Sequence, residues 1–171
     1  MTDDSASAKQ APAELIHQGE YSDLRWVEMM AAHHAMAVEM AQVALDRASH
    51  DTLKDFARDV IESQRDEIET LSKIRDDLDG KGKIPTKPHP GERSMFGMLS
   101  VDELKKVKDF DRAFIDSQLP HHASAIEMAA VSLHQTSRDD IAKLSRQIID
   151  AQCEEVGKMI GWRHEWFGKK G

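Results

Sequence analysis

The sequence predicts an all-α fold: a four-helix bundle made of two repeated αα-hairpins, with a long crossover between helices two and three. Three observations predict it. Apolar residues recur with helical period through four long segments, roughly 22–48, 51–78, 101–135 and 138–167. A single long Gly- and Pro-containing stretch, GKGKIPTKPHPGERS, separates the second from the third. A constant shift of 88 residues aligns the second half on the first without a gap.

Each element follows from local chemistry. Helices one and two meet around Ser49-His50-Asp51, and the last two around Thr136-Ser137-Arg138. Joints this short make each pair an antiparallel hairpin. Ser100-Val101-Asp102-Glu103 reads as a capping box that opens the third helix. Residues 1–20 form a polar, flexible lead, 21–79 the first hairpin, 80–100 the crossover and 101–167 the second hairpin. Under the shift, His33, His34, Ala37, Glu39, Met40 and Ala41 recur as His121, His122, Ala125, Glu127, Met128 and Ala129. Gln64, Glu67 and Arg75 recur as Gln152, Glu155 and Arg163. One hairpin cannot bury both flanks of its apolar face, so the two share a core as one domain. The crossover is long enough to run the length of the bundle. Helices two and three are then parallel, as in ferritin-like bundles, and the repeat becomes a two-fold axis perpendicular to the bundle.

Composition narrows the function. The net charge is -8 and Lys and Arg are interleaved with acids, so nothing favours a nucleic-acid partner. Cys153 is the only cysteine, which excludes an intramolecular disulfide. It reads as a small, partly buried side chain. No apolar run is long enough to span a membrane. The opening MTDDSASAKQAPAEL has no apolar signal-peptide region, which fits a cytoplasmic protein or a mature exported one.

The histidine pairs carry the functional signal. Trp26, Met30, His33, Ala37, Met40 and Ala44 share one helical stripe, and His34 lies on the neighbouring one. Phe114, Gln118, His121, Ala125 and Met128 repeat the first stripe, with His122 beside it. Gln64 and Gln152 sit within aliphatic stripes, with Glu67 and Glu155 three residues on and Met159 a turn beyond Glu155. Four histidines, two glutamines and two glutamates are therefore expected in one central layer or two nearby ones. Such groups need partners when buried. They can satisfy one another through His-Gln and His-Glu hydrogen bonds, or they can hold a metal. Imidazole suits copper, zinc, iron and nickel, while thioether selects copper(I). Met29, Met30, Met36 and Met40 surround the first pair, although methionine is also a common core filler. Met95 and Met98 read as loop packing. A diiron centre needs Glu-x-x-His on two helices, whereas these helices offer Gln-x-x-Glu. The one Glu-x-x-His, Glu14 to His17, stands in the lead. No catalytic triad, phosphate loop or cysteine cluster appears, so an enzyme is not expected.

These residues resemble the bacterial family of proteins numbered 305 among domains of unknown function. Its pattern is similar to Trp26, Met29-Met30, His33-His34, Ala37, Met40-Ala41, then Val60-Ile61, Gln64 and Glu67-Ile68. The second half matches at Phe114, Pro120-His121-His122, Ala125, Met128-Ala129, Ile148-Ile149, Gln152, Glu155-Val156 and Met159. The resemblance covers roughly residues 21–167 and implies a ferritin-like bundle, an exported or lipid-anchored setting, and copper binding by His and Met. Ser117 and Gln118 stand where the pattern has methionines, Ala32 where it has proline and Leu71 where it has a later methionine. The two halves are thus expected to differ in affinity.

The expected function is binding of a metal, copper first among the transition metals, for sequestration or transfer. His33, His121, Met40 and Met128 are the first candidate ligands, then His34 and His122. Met30, Met36 and Met159 are further soft donors. Gln64, Gln152, Glu67 and Glu155 would orient imidazoles or act as hard ligands. The expected partners are the metal ion, a second copy of the chain or a metal-trafficking protein. A structural or interaction bundle, in which the polar layer only specifies packing, is the alternative. A ferritin-like iron oxidase is disfavoured by the missing Glu-x-x-His pair.

Overall fold

The computed structural model describes residues 16–17, 20–88, 96 and 99–168. Two-residue strands β1 (Ile16–His17) and β2 (Glu20–Tyr21) pair antiparallel, so part of the polar lead is ordered. Among the described residues the helices are α1 (Asp23–Arg47), α2 (Asp51–Asp77), α3 (Val101–Leu104), α4 (Phe110–Gln135) and α5 (Asp139–Phe167). Ser22 caps α1 by accepting from the Arg25 amide, with Asp23 at the positive end of the helix and Arg47 at the negative end. The capping box at Ser100 and Glu103 is present in full.

Cross-helix contacts fix the topology. Glu28 meets Arg75 and His34 meets Glu67, so α1 and α2 run antiparallel. Asp116 meets Arg163 and His122 meets Glu155, which makes α4 and α5 antiparallel. Trp26 Nε1 donates to the Met128 carbonyl and His33 lies against His121, so α1 is antiparallel to α4 as well. Helices α2 and α4 are consequently parallel, as the long crossover required. Each of these contacts within the first hairpin has a counterpart 88 residues later.

Burial is unequal among the helices. Every residue of α1 from Met29 to Val38 is buried, because α2 and α4 flank it and Phe96 of the crossover covers it as well. The outer helices α2 and α5 bury only a stripe each. The core divides into two apolar clusters. One holds Trp26, Met29, Met30, Met36, Leu71, Met128 and Ile148. The other holds Met40, Phe56, Val60, Phe114, Ile115 and Met159.

Two expectations need correction. The third predicted helix is not continuous from 101 to 135. It breaks after one turn and restarts at Phe110. Arg47, reaching from the end of α1, takes the carbonyls of Lys105 and Val107, which diverts them from helical pairing. Cys153, expected to be partly buried, is exposed on α5. Met95, Met98, Glu14 and the side chain of His17 lie outside the described residues.

Candidate metal centre

His33 and His121 meet where α1 crosses α4. Their rings stack with centroids 3.5 Å apart and an interplanar angle of 16°. Both are fully buried. His33 Nε2 donates to the His121 carbonyl at 2.9 Å, and His121 Nε2 donates back to the His33 carbonyl at 3.1 Å. A carbonyl only accepts, so these bonds place the proton on Nε2 in both rings. Each Nδ1 is then an unprotonated lone pair, and neither has a hydrogen-bond partner. Burial pushes both histidines well below the ordinary histidine pKa, the neighbouring histidines adding to it, while the carbonyl bonds oppose the shift. At neutral pH the rings are uncharged, and a metal would displace no proton from Nδ1.

The outer histidines extend this pair into a row. The His34 ring lies 5.9 Å from that of His33, and His122 lies 6.2 Å from His121. His34 Nε2 sits 2.6 Å from Glu67 Oε2, but off the line of a hydrogen bond, and both its nitrogens lack an aligned partner. His122 is clamped: Nδ1 donates to the Gln118 carbonyl at 3.0 Å and Nε2 bonds Glu155 Oε2 at 2.6 Å. Both ring nitrogens of His122 are thus engaged.

The glutamines behave differently from the histidines. Gln64 is buried with neither amide atom partnered, and Gln152 Oε1 is also unpartnered. Hydrogen bonds from these amides to the imidazoles, one of the two ways of satisfying the layer, are not formed. A buried polar atom left without a bond costs about 1–3 kcal/mol, so several such atoms in one layer call for a ligand or a compensating gain.

The candidate methionine donors Met30, Met36, Met40, Met128 and Met159 are all close-packed. Met30, Met36 and Met128 lie in the Trp26 cluster, while Met40 and Met159 lie in the Phe114 cluster. Met40 and Met128 therefore occupy separate parts of the core. Among the described residues, no group of three or more His, Cys, Asp and Glu side chains is placed to hold a metal ion.

Sequence reasoning gave no role to four contributors. Ser124 Oγ lies 2.8 Å from His33 Nε2 and donates to the His121 carbonyl. The 88-residue shift sets it on Met36, so a hydroxyl inside an apolar stripe was its signal. Gln118 is buried with both amide atoms unpartnered, at the position of Met30 in the first half. Phe96 packs edge-on against His33 at 4.9 Å and closes the layer from the crossover. Asp111 binds the α1–α2 turn.

Antiparallel hairpins joined through reciprocal histidines define a helical protein with a buried imidazole layer at its centre. Residues 23–169 match the family described as a domain of unknown function, DUF305, and the chain belongs to that family. It is similar in structure to CopM in the Cu(I)-bound form, with a TM-score of 0.78 and 32% identity over 87% of this chain and 100% of that one. CopM in the Cu(II)-bound form gives a TM-score of 0.78 and 33% identity over 86% and 99%. A DUF305 fragment from Deinococcus radiodurans gives 0.74 and 26% over 83% and 95%. An uncharacterized protein, L153, of Acanthamoeba polyphaga mimivirus is 30% identical over 67 residues. That match spans 39% of this chain and 44% of the viral protein, less than half its length. Among the described residues, no helix is long and apolar enough to cross a membrane.

Proposed function

We propose that the chain is a non-catalytic metal-binding protein that sequesters or carries copper in its central histidine layer. One observation carries the reading: two fully buried, uncharged imidazoles stack at the centre with unpartnered Nδ1 atoms. The similarity to CopM, whose structures include Cu(I)-, Cu(II)- and silver-bound forms, supports it. The donor set favours copper(I). A harder ion wants three or more nitrogen or oxygen ligands, and among the described residues no such group of His, Cys, Asp and Glu is arrayed. Copper(I) accepts imidazole with thioether, and buried methionines flank the layer. A closed binding site needs neither an open coordination position nor a general base.

The test is elemental analysis of protein purified without chelator after growth with copper. Copper is expected at roughly stoichiometric level, and loss of it is expected in the His33→Ala/His121→Ala double variant. Circular dichroism identifies a variant that has merely unfolded. An absence of copper in the unaltered protein sinks the proposal.

A packing-only layer is the competing reading, favoured by the reciprocal Nε2-to-carbonyl bonds, which fix the register of α1 on α4 without any metal. It requires a melting temperature that copper(I) leaves unchanged. A bound ion instead raises it by mass action.

A further inference from the structure

The four rings and two carboxylates follow one another as successive neighbours: Glu67, His34, His33, His121, His122, Glu155. The successive ring separations are 5.9, 3.5 and 6.2 Å. All four rings are sealed from solvent, whereas the two terminal carboxylates are 20% and 16% exposed. The buried layer thus reaches water through a glutamate at each end.

We propose that Glu67–His34 and Glu155–His122 are two exchange gates through which copper passes between solvent and the central pair, and that the Glu67 gate is the faster. This rests on the copper reading above. An ion arriving at a carboxylate replaces the carboxylate–imidazole contact, is taken up by the outer histidine, and is handed to the unpartnered Nδ1 of the inner one. The step exchanges ligands, with no change in oxidation state. The carboxylate adds electrostatic attraction for a cation at the surface of the site.

The ranking of the gates follows from how each outer ring is held. Opening the Glu155 gate breaks two aligned hydrogen bonds, one to Glu155 and one to the Gln118 carbonyl. Opening the Glu67 gate breaks only a misaligned close contact, since neither His34 nitrogen makes an aligned bond. A ring without aligned hydrogen bonds reorients at lower cost. The first hairpin therefore holds the working gate and the second a latched one.

The experiment loads the apo full-length chain with copper(I) from a coloured chelator complex and follows the transfer by stopped-flow absorbance. Glu67→Gln keeps the shape of the side chain and removes its charge. It is expected to slow loading about tenfold, in line with the effect of removing a carboxylate that supports a ligand histidine. Glu155→Gln is expected to slow it two- to threefold at most, and the double variant more than either. Glu69→Gln, an exposed acid on the same helix paired with Lys73, is expected to load normally. A double variant that loads to the normal level at the normal rate overturns the gates and leaves the copper reading standing. Equal slowing by the two single variants overturns their ranking. An unaltered protein that takes no copper overturns the copper reading, and the gates fall with it.

Discussion

The two hairpins present the same side chains at the same positions, 88 residues apart, yet hold them differently. His122 is bonded at both nitrogens, whereas its counterpart His34 has only a misaligned contact with Glu67. Ser124 binds His33, while the matching position beside His121 is Met36. Gln118 is a buried amide where Met30 is a thioether. The frame of the layer is thus shared, and the differences lie in the hydrogen bonds around it. Two matching halves can keep one buried layer while its two sides diverge in restraint.

The largest expected effect concerns what the halves share. Both central histidines have pKa values well below the ordinary value of 6.5, through burial. The unfolded chain then binds protons near pH 6.5 that the folded chain refuses. Stability is therefore fully present above pH 6.5 and falls as the pH drops below it, down to the folded values. With both unfolded positions protonated, the slope approaches about 2.7 kcal/mol per pH unit, two protons at about 1.36 each. Urea titrations of the apo protein from pH 7.5 to 5 measure it. His33→Gln and His121→Gln are each expected to remove about half of the slope. A marked inequality would show that the central pair is not shared evenly.

The arginine pairs come next. Arg75 binds Glu28 and the carbonyls of Lys81 and Gly82, so it ties the start of the crossover to α1 and α2. Arg163 binds Asp116 and the Gly168 carbonyl. Hydrogen bonds to charged groups contribute about 1.5–3 kcal/mol, reduced here because Glu28 and Asp116 are partly exposed. Arg75→Ala is expected to cost about 2–3 kcal/mol and Arg163→Ala about 1–2 in chemical denaturation. Gly80 sharpens the contrast, because a Cβ there would come within 2.5 Å of Arg75 Cγ. Gly80→Ala must displace that tethered side chain.

The turns differ in the same manner. Asp111 accepts from the Ser49 and His50 amides and from His50 Nδ1, closing the α1–α2 joint from α4. The shift sets Asp23 on Asp111, but Asp23 Oδ1 has no partner. Asp111→Ala strands two backbone amides and is expected to cost about 2 kcal/mol, against about 0.5 for Asp23→Ala. Thermal melts of the two variants decide it. Equal losses would mean that the Asp111 contacts contribute nothing beyond helix-end charge.

Much of this was legible in the sequence, for identifiable reasons. The four long helices follow from apolar period and short joints, and both His–Glu contacts follow from the shift together with helix-face arithmetic. The inward direction of all four histidines was also visible, because each stands in an apolar stripe. The break at 105–109 was hidden, since the Arg47 contact that diverts those carbonyls is tertiary. The carbonyl partners of His33 and His121 were hidden too, because backbone acceptors leave no mark on residue type. Phe96 reaches the layer from a segment with no periodicity, so only its isolation as an aromatic in the crossover hinted at burial.

The smallest expected effect tests whether the halves differ where nothing is bound. On α2, Glu69 and Lys73 form an i,i+4 ion pair. The shift places Gly157 and Gly161 of α5 at those positions. A Cβ added at either glycine meets nothing within 4 Å, so no packing among the described residues requires glycine there. Glycine inside a helix costs about 0.8–1 kcal/mol relative to alanine, through backbone entropy. An i,i+4 pair contributes about 0.3–0.5 kcal/mol on the other helix. Gly157→Ala is therefore expected to raise stability by about 0.5–1 kcal/mol. A loss of stability instead would mean that this face of α5 is closely approached by something outside the described residues.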